Sequence, residues 1–248
     1  METNAQVKNN LKMLKLKSIY DNIEHFTNEA INTKLSYTDF LLYITQYEID
    51  ERRNKRREAG LKKSNMGRIK KIEEFDWSFN PCINRQLVMK LVLCDFIKKN
   101  ENIILTGPTG VGKTFIAKAL GYEAVNKGFT VLFSRTNKML ETIYSGKADG
   151  TFNNLMAKYI KPDLLILDDW GMTEFGDTAL NILNEIISER YETGSIIITS
   201  NRPVINWDEL FKEKVIGSAL LDRLFHLAHR IEIKPEQKSY RQGGKKLD

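Results

Sequence analysis

The sequence predicts an α/β fold built on a five-stranded parallel sheet, and two observations carry that prediction. From residue 102 onward, short β-rich runs alternate with helical stretches: NIILTG (102–107), TVLFS (130–134), DLLILDD (163–169), SIIITSN (195–201) and RIEIK (230–234). Strand–helix alternation of this kind argues for parallel strands covered by helices on both faces. The first run also leads through a glycine-rich turn into a helix, which is the setting of a phosphate-binding loop.

A small all-α segment precedes the sheet. Val7, Leu11, Leu14, Ile19, Ile23, Phe26 and Ala30 recur at three-to-five-residue steps and read as one amphipathic helix. Ser36-Tyr37-Thr38-Asp39 forms a capping box that opens a second helix through Phe40, Leu41, Ile44 and Tyr47, with Gly60 as its expected end. Residues 1–72 are therefore expected to be a helical basic domain with its linker, and 73–248 the sheet domain. FDWSFNPCI reads as linker that packs Phe75, Trp77 and Phe79 on the sheet domain, and a further helix is expected near 83–98.

Composition removes whole classes. The chain has 248 residues, 42% apolar and 28% charged, with 5 Pro and 15 Gly, which is the make-up of an ordinary globular protein. Neither a membrane-length apolar run nor the apolar core of a signal peptide is present, so no membrane partner and a cytoplasmic location are expected. Cys82 and Cys94 are too few for a disulfide framework, and His25, His226 and His229 make no zinc site with them. His226 and His229 read as helix-packing residues.

The charge is unevenly placed. Residues 1–72 hold 15 Lys and Arg against 9 Asp and Glu, whereas the rest of the chain holds 23 of each. Within residues 52–71, Arg52, Arg53, Lys55, Arg56, Arg57, Lys62, Lys63, Arg68, Lys70 and Lys71 face Glu58 as the sole acid. A run of this density is often a solvated helix face, but it leans toward a polyanion, with nucleic-acid phosphates as the leading candidate.

Gly107-Pro108-Thr109-Gly110-Val111-Gly112-Lys113-Thr114 matches the pattern G-x-x-x-x-G-K-[ST], with Phe115 next in the helix it opens. Glycines let consecutive N–H groups turn inward around phosphate oxygens, and the helix N-terminus adds a favourable dipole. Lys113 is expected to reach the β- and γ-phosphates, and the Thr114 hydroxyl to ligate Mg²⁺. Fifty-five positions after Lys113, an apolar run ends in Asp168-Asp169. A buried strand delivering an acid at its end suits a metal held from the other side: Asp168 would act through water, and Asp169 would orient or deprotonate the attacking water. Asn201 ends the next strand, where its amide would hydrogen-bond the γ-phosphate or the lytic water, or else cap the turn before Pro203. Arg223, beside Asp222 on a helix, is either an arginine finger toward a neighbouring subunit or half of a salt bridge.

In this order, the motifs ENIILTGPTGVGKTFIAKALG, KPDLLILDDWG, SERYETGSIIITSNRP and ALLDRLFHLAH, together with EIDERRNKRR and FDWSF, resemble the AAA+ ATPases of the IstB/DnaC-like group. The likeness is strongest to the IstB-like helpers of insertion-sequence transposons and spans nearly the whole chain. It implies an AAA+ P-loop NTPase core with Walker A on Gly107–Thr114, Walker B on Asp168 and Asp169, sensor 1 on Asn201 and a box-VII-like arginine at Arg223. Most AAA+ enzymes carry Glu where this chain has Asp169. The closing Ser239-Tyr240-Arg241 lacks the glycine usual before it, and the seven residues after Arg241 leave no room for a C-terminal helical lid. Closure of the nucleotide site is then expected from a second copy.

The resulting expectation is an ATPase, with ATP and Mg²⁺ as cofactors, that assembles as a homo-oligomer on duplex DNA, remodels the site and recruits or stimulates a cognate transposase. The alternatives are a DnaC-type loader of a replicative helicase, a small-molecule P-loop kinase, and a DNA-binding scaffold that holds ATP without turnover.

Overall fold

The structure, a computed structural model, describes residues 2–81 and 83–234. Cys82 and the segment around Arg241 lie outside the described residues. The chain divides into two compact units, Met1–Ala59 and Gly60–Asp248. Residues 60–72, which composition groups with the helical segment, thus pack with the sheet.

The first unit holds α1 (Glu2–Met13), α2 (Lys17–Thr33) and most of α3 (Tyr37–Lys63). One amphipathic stretch becomes two helices because Lys15 adopts a left-handed φ of 56° between them. Ile19, Phe26 and Ile44 are the buried centre, with Tyr43 and Tyr47 edge-on to the Phe26 ring. Leu16, the residue before α2, offers no side-chain cap. Glu48 of α3 supplies it instead: its Oε2 accepts the N–H groups of Ser18 and Ile19 at 2.8 and 3.1 Å. At the start of α3 the capping pair forms, with the Asp39 N–H donating to Ser36 Oγ at 3.2 Å. Gly60 does not end this helix, which runs to Lys63; a Cβ there would stand 3.0 Å from Val125, so the glycine answers to packing.

The second unit follows with α4 (Arg85–Leu91), α5 (Asp95–Lys98), β1 (Asn102–Thr106), α6 (Lys113–Asn126), β2 (Val131–Arg135), α7 (Thr136–Asp149) and α8 (Phe152–Ile160). It continues with β3 (Leu164–Asp168), α9 (Asp177–Arg190), β4 (Ser195–Ser200), α10 (Lys214–Phe225) and β5 (Ala228–Glu232). The helix expected near 83–98 is two, divided at Cys94, whose φ is 60°. The fifth strand begins two residues before the RIEIK run because Ala228 and His229 already pair with Asn102 and Ile103.

All strands are parallel, in the order β2-β3-β4-β1-β5. Alternation along each strand sorts its side chains between two cores. Ile103, Leu105, Leu164, Ile166 and Ile197 face one, with α6 against them, while Ile104, Leu165, Leu167, Ile196 and Ile198 face the other, under α7 to α10. Each fully buried aliphatic side chain of this kind contributes about 1.5–3 kcal/mol. Arg190 lies beneath the sheet at 1% exposure, its guanidinium spread over the carbonyls of Tyr159, Ile160, Pro162, Asp163 and Ser195. Burial lowers its pKa to about 10, with the Asp163 charge partly opposing the shift.

Parallel strands put every C-terminus on one edge of the sheet, where open α/β folds hold their ligands. Thr106, Asp168 and Ser200 end there, so the glycine-rich turn, the double acid and Asn201 converge. Among the described residues, no helix is long and apolar enough to cross a membrane, and none follows β5.

Candidate functional site

The loop between β1 and α6 takes its shape from glycine. Gly107, with φ 143°, lies so close to the backbone of Ile233 that a Cβ would fall 2.2 Å from its carbonyl oxygen. Gly112 has φ 102°, and a Cβ would meet the Phe75 ring at 2.7 Å. Phe75 therefore lies directly on the loop. It packs against Trp77 and Phe115 at ring separations of 4.8 and 5.3 Å, and Lys70 Nζ stands 5.1 Å from the Phe115 ring. Lys70, grouped by sequence with the basic run, thus belongs to the wall of the loop, as do the linker aromatics Phe75 and Trp77.

Lys113 is 9% exposed and directs its ammonium group back along the loop, donating to the carbonyls of Gly107 and Pro108 at 2.6 and 2.7 Å. Its neighbour Thr114 donates to Asp168 Oδ1 at 2.8 Å, joining the start of α6 to the end of β3. Thr199 of β4 donates to the same oxygen at 2.5 Å. Nothing in the linear motif marked Thr199; its signal is the pairing of β3 with β4, which sequence alone does not specify.

Asp169 comes immediately after the strand in a left-handed conformation, φ 58°, which costs most residues energy but which Asp tolerates comparatively well. Its N–H donates to Thr199 Oγ1 at 3.2 Å, so one hydroxyl bridges the two acids. Arg135, at the end of β2, lies 3.7 Å from the Asp169 carboxylate, with both side chains substantially exposed. Asp168 is further fixed through its carbonyl, which accepts from Thr136 Oγ1 at 3.0 Å. Lys118, one turn into α6, donates to the Met66 carbonyl at 2.6 Å and sits 4.5 Å from the Phe133 ring. Burial lowers its pKa, with the Asp168 charge opposing.

Asn201 is exposed at the same edge. The turn-capping role open to it belongs to Ser200, whose Oγ accepts the Arg202 N–H at 3.1 Å and donates to the Trp170 carbonyl at 2.8 Å. Among the described residues the Asn201 amide makes no hydrogen bond.

Arg223 is elsewhere. It lies in the last turn of α10, next to Leu224, whose carbonyl accepts from Asn102 Nδ2 at 3.1 Å at the beginning of β1. The five residues of β1 separate it from the loop, about 16 Å at 3.3 Å per residue and longer than an arginine side chain. Its guanidinium reaches the Ala219 carbonyl at 3.3 Å, and no ion pair with Asp222 forms among the described residues. The two histidines are not helix-packing neighbours: His226 caps α10, while His229 lies on β5 and contacts Glu101 at 2.7 Å.

Nine of the ten candidate basic residues are exposed, Lys70 being half-buried. Arg52 is engaged within its own unit, donating to Glu48 Oε1 at 2.8 Å and to the Lys15 carbonyl at 2.6 Å. Lys55 stands 3.6 Å from Glu51 and 3.4 Å from Ser18 Oγ.

No cluster of three His, Cys, Asp or Glu that could hold a metal exists among the described residues. The donors at the loop are instead one hydroxyl and one carboxylate, Thr114 and Asp168. That hard-oxygen pair fits Mg²⁺, which binds few protein groups and completes its shell with phosphate oxygens and water.

A parallel sheet ordered β2-β3-β4-β1-β5, with a glycine-rich phosphate loop after β1 and acids at the end of β3, one strand removed from it, gives the chain a P-loop fold of the AAA+ class. Solved structures agree on that fold: DnaI (TM-score 0.57, 23% identity, 66% of this chain and 90% of that one) and AMPPCP-bound DnaA from Aquifex aeolicus (TM-score 0.58, 21% identity, 71% and 53%). Within the class, the chain belongs to the family of IstB-like ATP binding proteins, whose profile matches residues 9–247. It is 34% identical to a Pseudomonas aeruginosa protein named for ATP binding in insertion sequence IS21, over 93% of this chain and 86% of the relative. A counterpart from insertion sequence IS232 of Bacillus thuringiensis subsp. berliner is 32% identical over 92% and 91%.

Proposed function

We propose that this protein is an ATP-dependent, DNA-binding helper of transposition, which assembles on duplex DNA, remodels the target site and recruits or stimulates its transposase. The observation that carries the ATPase part is the Asp168 carboxylate, which takes hydroxyl hydrogen bonds from Thr114 and Thr199 at the mouth of the phosphate loop.

In this reading the N–H groups of residues 107–115 bind the phosphates of ATP and Lys113 neutralises the β- and γ-phosphates. Thr114 and Asp168 hold Mg²⁺, which supplies charge neutralisation on the phosphate oxygens when bound. Asp169, steadied by Thr199 through its own N–H, accepts hydrogen bonds from the attacking water and aligns it. The Asn201 amide donates to the γ-phosphate or holds that water. Arg223 is too far from its own loop, so it acts on the nucleotide of a second copy, where a finger of this kind contributes about 10³–10⁵ in rate.

In this reading the basic residues of 1–72 bind DNA, those of 60–72 from the unit that carries the sheet, and 73–248 hydrolyses ATP. Exposed Arg53, Arg56, Arg57, Lys62, Lys63, Arg68 and Lys71 contact phosphates without reading sequence, with Arg52 and Lys55 contributing from the same helix. Family membership and the names of its insertion-sequence relatives support the transposition setting.

Binding to matched duplex and single-stranded DNA, with and without Mg·ATP at one salt concentration, tests the proposal. Cooperative, ATP-enhanced duplex binding that Lys113→Ala abolishes is expected. Unchanged assembly by Lys113→Ala would remove the nucleotide switch, and a single-strand preference would favour a helicase loader.

A further inference from the structure

At the end of the sheet opposite the phosphate loop, three connections meet: α5 to β1, α9 to β4 and α10 to β5. They enclose a cavity of about 60 Å³ whose lining includes Lys99, Asn100, Arg190, Tyr191, Arg223 and His226. Glu192 is the single carboxylate of the lining. Lys99, Arg190 and Arg223 set three cations against one carboxylate around a small space, an electrostatic balance that favours an anion.

The pocket is built, not incidental. Arg190 is 1% exposed and its Nε is buried without an acceptor, while its other nitrogens are held by carbonyls. Its positive charge is therefore fixed beside the cavity. Asn102 ties the floor together, donating to the Leu224 carbonyl and accepting the Ile196 N–H at 2.9 Å. Asn100 Nδ2 donates to the Glu192 carbonyl at 2.6 Å and so joins two of the three connections. Arg223 and Lys99 have no carboxylate within ion-pairing distance among the described residues. Leu227, on the rim, is 60% exposed with φ 52°, an apolar edge that suits a protein neighbour better than a free ion.

We propose that this cavity receives the terminal phosphate of the nucleotide held by a second copy of the chain, with Lys99 as a second cation beside Arg223. The inference rests on the reading of Arg223 as acting on a neighbour, and adds to it a residue and a pocket. Arg223 supplies a planar fork for two phosphate oxygens and Lys99 a mobile point charge for the third. Arg190 holds the field positive from below without touching the phosphate.

The test is ATP turnover by full-length Lys99→Ala, Lys99→Arg and Arg223→Ala proteins, with duplex DNA and saturating Mg·ATP, over a range of protein concentrations. Lys99→Ala is expected to lower kcat roughly 10-fold or more, with Lys99→Arg largely restored; Arg223→Ala should lose about 10³-fold. Each alanine variant is then mixed with Lys113→Ala, which lacks its own phosphate grip but keeps an intact pocket to lend. Recovered turnover in both mixtures is the expected result, and recovery also shows that both variants fold.

A wild-type kcat for Lys99→Ala beside a collapsed Arg223→Ala would overturn the role of Lys99 and leave Arg223 standing. A wild-type kcat for Arg223→Ala would overturn the reading beneath both. Loss in Lys99→Ala without recovery on mixing would refute the role of Lys99 toward a second copy.

Discussion

The sheet unit and the helical unit reach stability by different means. The sheet buries two continuous aliphatic cores, one on each face, and Thr114 at the start of α6 and Thr199 in β4 both donate to one carboxylate oxygen at the end of β3. The helical unit buries Ile19, Phe26 and Ile44 and compensates with polar work: Glu48 caps α2, Arg52 holds Glu48, and Tyr43 donates to Glu29 at 2.7 Å. Where apolar area is scarce, individual hydrogen bonds carry a larger share of the structure. Where it is plentiful, they are available to shape a site.

That contrast breaks first at Phe26. Phe26→Ala should cost about 3–5 kcal/mol and remove amide-exchange protection from α2, because three buried side chains leave nothing to close the cavity. A loss below 1 kcal/mol would mean the unit does not depend on this core.

Glu48→Ala comes next. It removes the cap on two N–H groups and the partner of Arg52, for about 2–3 kcal/mol, read as faster exchange at Ser18 and Ile19. Exchange at those two amides unchanged by the substitution would show that α2 needs no cap from α3.

Thr199→Val is the matching polar deletion in the sheet. Stability should fall by about 1–3 kcal/mol because the Asp169 N–H loses its acceptor, while ATP turnover drops more than 10-fold. Turnover falling no further than stability would mean Thr199 is structural only.

Acid sharpens the same point in wild type. Burial raises the Glu48 pKa, but the hydrogen bonds from Arg52, Ile19 and Ser18 outweigh it and the net shift is downward. A carboxylate depressed on folding contributes stability that is fully present above its unfolded pKa, about 4.3, and is lost as pH falls through the folded value. Protection at Ser18 and Ile19 should therefore decline below about pH 4 and become insensitive to acid in Glu48→Gln.

The smallest effect on stability, and the clearest split within one helix, comes from charge reversal. Arg56→Glu is exposed and should shift stability by less than about 0.5 kcal/mol while weakening DNA binding and its salt dependence. Arg52→Glu should weaken the fold as well, since Arg52 is held by Glu48 and Lys15. Equal stability for the two variants would deny Arg52 its structural role.

Much of this was legible in the chain. The glycine-rich loop is contiguous and its backbone requirements are local, so Gly107 and Gly112 announce themselves. Buried parallel strands are unbroken apolar runs, and four of the five were delimited to within a residue. Helix breaks were less visible: Lys15 and Cys94 adopt left-handed conformations that no glycine or proline marks. Nor does any local pattern mark that Lys70, as cationic as its neighbours, is half-buried over Phe115.

By itself, then, the sequence determined the P-loop, its acids, the parallel sheet and the place of the excess charge. Each depends on residues close together in the chain or on periodicity along one element. Tertiary structure decided that Thr199 bridges Asp168 and Asp169, that Phe75 lies on the loop, that Glu48 caps a helix 30 residues away, and that Arg223 lies at the end of β1 opposite the phosphate loop. Those facts depend on strand order and helix packing. Five strands can be arranged in many orders, and only the closing of both cores selects the one that sets β3 beside β4.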